Sequence, residues 1–105
     1  MLIDNAPALI RATAEVMGVT PEDVTGKRKT LAESLARQIV MTLWAESHSL
    51  QASCHIVNRH HHTAAFYARQ KIHERIGYCD STRERLAKVL QKYSENILAE
   101  SNLNQ

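Results

Sequence analysis

The sequence predicts an all-helical fold of about six helices, and two features carry that prediction. Apolar residues recur at three- and four-residue spacing along most of the chain, and no stretch sustains the two-residue alternation of a half-buried strand. Caps and breakers also fall where helices need them: Thr20, Thr30 and Ser49 precede periodic runs, while Gly18 and Gly77 follow them. With 105 residues, 44% of them apolar, the chain can bury one core and has no room for a second domain beside it, so residues 1–105 are read as one domain.

The elements follow in chain order. Ile10, Ala14 and Met17 fall at i, i+4 and i+7, predicting a first helix over about residues 7–17 that Gly18 ends. Thr20 caps a short helical turn, with Pro21 at its first position and Glu22 and Asp23 near its positive end. Thr25 to Lys29 holds a glycine and three consecutive cations and reads as an exposed loop. Thr30 with Glu33 three positions on has the spacing of a capping box for a central helix to about Glu46, whose apolar stripe is Leu31, Leu35, Ile39 and Leu43 with Trp44 alongside. Ser49 caps a short helix carrying Cys54, Ile56 and Val57, and Asn58 suits the left-handed residue of a tight turn. A longer helix is expected from about His60 to Ile76, with Ala65, Phe66, Ala68 and Ile72 facing inward and Gly77 breaking it. The last helix, residues 80–100, is amphipathic, with Leu86, Val89, Leu90, Tyr93, Ile97 and Leu98 on one stripe. That stripe must be covered, either by the domain itself or by a second copy in a homodimer. Residues 101–105 are polar and expected to fray.

Composition narrows the function classes. Charged residues make up 23% and Gly and Pro are scarce, so global disorder is not expected. No apolar run approaches the roughly 18 residues that span a bilayer. Cys54 and Cys79 lack CxxC spacing and no charged-then-apolar leader opens the sequence, which leads us to expect a soluble protein in the reducing cytoplasm. A formal charge of +2 is too small to argue for a polyanion partner by itself, but it is unevenly spread. Residues 1–23 carry a net −3, residues 24–76 set eight cations against three carboxylates for a net +5, and residues 77–105 balance at zero.

Within that basic middle, a long core helix, a short helix, a tight turn at Asn58–Arg59 and a longer helix opening on polar residues form the pattern of a helix-turn-helix. In that motif the second helix enters the major groove of DNA and its first side chains meet base edges. Here those are His60, His61, His62 and Thr63, whose imidazoles donate or accept and whose Thr methyl suits a thymine.

Several landmarks in order extend this reading: Met17-Gly18-Val19, Glu22-Asp23-Val24, Lys27-Arg28-Lys29, Ala36-Arg37-Gln38-Ile39-Val40-Met41, Ser49-Leu50, His62-Thr63, Ala68 and Lys71-Ile72. Together they make residues 7–76 resemble the C-terminal DNA-binding domain of the bacterial replication initiator DnaA, a relative of the Trp repressor fold. The resemblance implies double-stranded DNA as partner, no cofactor and a nucleoid-associated location. It implies that Arg28 or Lys29, in the loop opened by Lys27, reaches a minor groove, whose narrow form attracts cations. It further implies that Arg37 and Gln38 hold backbone phosphate and a nearby base edge, that Leu50 and Gln51 touch the backbone, that His62 and Thr63 read bases, and that His61 and Tyr67 face DNA; by position Arg59 and His60 join them. His61 stands where the family has an acidic residue and Ala64 where it has a second threonine. Exchanging an acceptor-only carboxylate for an imidazole changes which base edge is satisfied, so a target other than the initiator's own box is expected. No GxxxxGK[ST] occurs, so the initiator's nucleotide-hydrolysing module is not encoded in these residues.

Competing readings of the same residues are blander. Consecutive helical residues point about 100° apart, so His60, His61 and His62 do not converge on one metal ion. Cys54 beside His55 lacks an orienting partner, and no enzyme activity is expected. Trp44 and Tyr93 read as core rather than as stacking platforms, Lys27 to Lys29 also fits a plain solvated loop, and Arg37 could merely lay its stem on apolar surface. The competing function is a protein-interaction adaptor that keeps the fold without DNA contact, suggested by His61, Ala64 and the long final helix. The DNA reading requires that His62 and Arg37 emerge on one solvent-open, cationic surface.

Overall fold

A computed structural model of the chain describes residues 3–27 and 30–103. It contains α1 (Ala6–Met17), α2 (Pro21–Thr25), α3 (Leu31–Ala45), α4 (Leu50–Ile56), α5 (His62–Tyr78) and α6 (Asp80–Leu103), with no strand among these residues. The caps that the sequence names, Gly18, Thr20, Thr30 and Ser49, lie where it puts them, and Asn5 adds one that it does not single out. Asn5 Oδ1 accepts from the Ala8 amide at 3.0 Å to start α1, and Gly18, at φ 71°, ends it by returning its N–H to α1 carbonyls. Thr20 and Asp23 complete a reciprocal capping box on α2. Thr30 and Ser49 accept from the Glu33 and Ala52 amides at the starts of α3 and α4.

Helix α3 is the central element, packing against α1, α2, α4 and α5, while α6 lies mainly along α1. Every helix gives at least one side chain to the core: Leu9, Val24, Ile39, Val40, Cys54, Ile72 and Val89, with Val57 buried from the turn between α4 and α5. Much of the α6 stripe is covered within the chain, by α1. Asn5 and Arg11 meet Glu100 while Glu15 meets Lys92, so α1 and α6 run antiparallel, and Tyr93 is buried with its hydroxyl accepting from the Asp4 and Asn5 amides. Trp44 is also core, with His48 stacked on it at a centroid distance of 3.9 Å.

Six expectations need correction, the first being Leu31, which the apolar stripe of α3 puts inward but which stands 77% exposed at the first position of that helix. Helix α5 starts at His62 rather than His60, because no side chain caps it and the preceding residues belong to the turn. Gly77 does not break the helix: Ile76 packs on the core and the Arg83 side chain takes up its carbonyl, which outweighs the roughly 1 kcal/mol cost of a helical glycine, and the break falls at extended Cys79. Phe66 is not inward-facing but 47% exposed, set edge-on against Tyr67. Leu98 leaves the buried stripe of α6 with 64% exposure, and the helix continues through Leu103 where fraying is expected.

Candidate nucleic-acid interface

The α4–turn–α5 segment is built by short-range hydrogen bonds on an apolar plug. The Val57, Asn58 and Arg59 amides fold back onto the Cys54 and His55 carbonyls, Asn58 takes the left-handed conformation at φ 57°, and Val57 drops into the core. The buried Cys54 thiol donates to the His61 carbonyl at 3.0 Å, fixing where the chain enters α5. Inward, α5 is anchored by Ala65, Ala68 and Ile72. Two of these are alanines, so the helix seats closely on α3 and leaves His61, His62, Thr63 and Tyr67 exposed.

Behind that helix the guanidinium groups of Arg37 and Arg59 converge. Arg37 Nε donates to the Val24 carbonyl at 2.8 Å, and its Nη2 donates to the Asp23 and Gly26 carbonyls, each at 3.1 Å. Arg59 Nη2 reaches the same Gly26 carbonyl at 3.0 Å, and Asn58 Nδ2 reaches the Thr25 carbonyl. The end of α2 is thereby tied to both α3 and the turn before α5. Burial, then the adjacent Arg59, hold the Arg37 guanidinium below its ordinary value, with Glu33 acting in the opposite sense. It remains a cation, since a guanidinium titrates far above neutrality.

A groove of about 200 Å³ opens between α3 and α5, lined by Ser34, Arg37, Gln38 and Met41 on one side and by Arg59, Ala64, Tyr67, Ala68 and Lys71 on the other. No carboxylate lines it. Spacing explains the set: Ala64, Tyr67, Ala68 and Lys71 follow one another at three and four residues along α5, and Ser34, Gln38 and Met41 do so along α3. Ser34 and Lys71 were not among the residues singled out for contact, although each lies one helical turn from one that was.

The expected site residues are therefore only partly brought together. His60, His61, His62, Thr63 and Gln51 are exposed, Tyr67 is exposed at the mouth of the groove, and Gln38, Leu50 and Arg59 are half-buried. Lys27 is exposed, and Arg28 and Lys29 lie outside the described residues. Arg37 corrects the expectation of a shared open surface: it is 5% exposed, and its guanidinium is committed to backbone carbonyls 11 to 14 residues earlier in the chain. It lines the groove wall and positions the loop instead of projecting beside His62.

Among the described residues no group of three or more His, Cys, Asp or Glu side chains could hold a metal ion, and no helix is long and apolar enough to cross a membrane. Cys79 lies at the far end of α5 from this groove. The Ser81 hydroxyl, 3.1 Å from its sulfur, and then the Thr82 hydroxyl and amide bring its thiol down to about 6. Comparison with known proteins gives no match: no family model fits the chain and no curated protein sequence is similar to it.

Proposed function

We propose that this protein binds double-stranded DNA in a sequence-specific manner through α4 and α5, as a small regulator of transcription or replication. The observation that carries the reading is the exposed first turn of α5, with His62 and Thr63, standing beside a groove walled by Arg37, Arg59 and Lys71 and by no carboxylate. His61, His62 and Thr63 would meet base edges in the major groove. Lys71, Gln38 and Tyr67 would meet phosphate, with the loop at Lys27 to Lys29 alongside. Arg37 is assigned a positioning role. It couples α2 and its loop to the helix-turn-helix turn, so the loop and α5 would approach a duplex in fixed relation. The resemblance to the DnaA C-terminal domain supports the same reading and belongs to it as a proposal.

Selection of bound duplexes from a random pool, followed by titration of the winner at two salt concentrations, tests this. Neutralising about five phosphates gives a log–log slope near −4.5. His62→Ala with Thr63→Ala should flatten discrimination between the winner and a scrambled duplex, while Lys71→Ala should weaken both alike. A salt-independent signal, or no selected sequence, would refute DNA binding. The adaptor reading is favoured by one observation, the adjacent exposed rings of Phe66 and Tyr67 on α5, and is the reading left standing by that outcome.

A further inference from the structure

At the end of α5 remote from His62, a second concavity of about 190 Å³ lies where four helices meet. Met17 closes it from the end of α1, Leu31, Ala32 and Leu35 from the first turns of α3, Arg75 from α5 and Arg85 from α6. Leu35 is buried in its floor, while Leu31 stands at its edge 77% exposed. Arg75 and Arg85 are half-buried, and neither guanidinium makes an ion pair or hydrogen bond with any described residue. Elsewhere on α6, Arg83 pairs with Asp80 and Lys92 with Glu15 and Glu95. No Asp or Glu lines this concavity.

We propose that this concavity is a binding site for a small apolar carboxylic acid. Two planar forks of N–H donors beside an aliphatic wall match a carboxylate joined to a short hydrocarbon body, since arginine takes carboxylates through paired hydrogen bonds. Size agrees: an apolar protein cavity of about 150 Å³ accepts benzene, so this space admits a six-carbon chain or ring with its acid group at the arginines. Binding would also cover Leu31 and remove apolar surface from water. The site shares no lining residue with the groove beside α5, although Lys71 of that groove stands one turn before Arg75 and Ser34 is next to Leu35; it is read without DNA, so the proposal stands whether or not the protein binds DNA.

Titrations followed by the methyl resonances of Leu31 and Leu35, using hexanoate, 1-hexanol and acetate on the full chain, decide the matter. Hexanoate should bind at least tenfold more tightly than either of the others, because only it meets both the aliphatic wall and the arginines. Arg75→Gln and Arg85→Gln should each lower hexanoate affinity at least fivefold and leave hexanol unchanged. Hexanoate binding no tighter than hexanol in the unmodified protein would overturn the proposal, and so would undiminished hexanoate binding by both variants. The first comparison needs no substitution, so misfolding of a variant does not obscure the result.

Discussion

The α1–α6 pair and the α2–α5 half use cations in opposite ways. Along α1 and α6, where five cations stand against five carboxylates, three of the cations meet carboxylates at the surface: Arg11 with Glu100, Lys92 with Glu15 and Glu95, Arg83 with Asp80. In the other half, Arg37 and Arg59 turn their guanidinium groups to the backbone carbonyls of Asp23, Val24, Gly26, Val57 and Asn58. A carboxylate cancels the charge it binds, whereas a carbonyl satisfies the donors and leaves the net charge in place. One half is therefore locally neutral, and the other keeps a positive field around the groove beside α5. The same chemistry that builds the loop can thus attract a polyanion, and the difference lies in the acceptor rather than in the number of cations.

The largest expected effect comes from breaking the carbonyl side of this contrast. Arg37→Ala strands the Val24 and Asp23 carbonyls and leaves the Gly26 carbonyl to Arg59 alone, and leaving buried acceptors unsatisfied costs about 1 to 3 kcal/mol for each group that water cannot reach. A total loss of about 3 kcal/mol in urea unfolding is expected, with Arg37→Lys recovering less than half because an ammonium lacks the rigid fork. A loss below about 1 kcal/mol would mean that the arginine is not what holds α2 and its loop, and its positioning role would fall.

That role marks the boundary of what the sequence makes legible. Helices α1 to α4 lie within a residue or two of where periodicity and caps predict them, because Gly18 closes α1 and Thr20, Thr30 and Ser49 act on amides three positions away. The start of α5 is less legible since His61 makes no capping bond, and its end since the packing of Ile76 overrides the weak preference of Gly77. Phe66 misleads because the buried face of α5 is Ala65, Ala68 and Ile72, and Phe66 lies about 100° around the helix from Ala65. The exposure of His62, Thr63 and Tyr67 follows from the helical pattern alone. Arg37 does not, because its direction depends on carbonyls that only tertiary folding delivers. The partner of α6 is hidden for the same reason: the Tyr93 hydroxyl finds its donors 88 and 89 residues away.

On the other side of the contrast, effects should be smaller. Tyr93→Phe removes the acceptor for the Asp4 and Asn5 amides at the entrance to α1 while preserving the buried ring. Since solvent can replace part of what is lost at a chain end, we expect about 1 kcal/mol by urea unfolding. A loss above about 3 kcal/mol would show that α6 is held to α1 chiefly by this polar contact and not by the burial of Tyr93 and Val89.

The smallest effect is expected for the charge that most visibly bridges the two helices. Glu100→Gln keeps an oxygen to accept from Asn5 Nδ2 and removes only the ion pair with Arg11. Both side chains of that pair are more than a third exposed, so water screens their attraction, and exposed pairs contribute about 0 to 1 kcal/mol. The substitution should therefore cost no more than about 0.5 kcal/mol at low salt, and that cost should vanish by about 1 M salt, where charges are screened over about 3 Å. A larger cost that persists in high salt would mean that the α1–α6 carboxylates do structural work equal to the carbonyls of the α2 loop. The division of the molecule into a half neutralised at its surface and a half held together by buried cations would then no longer stand.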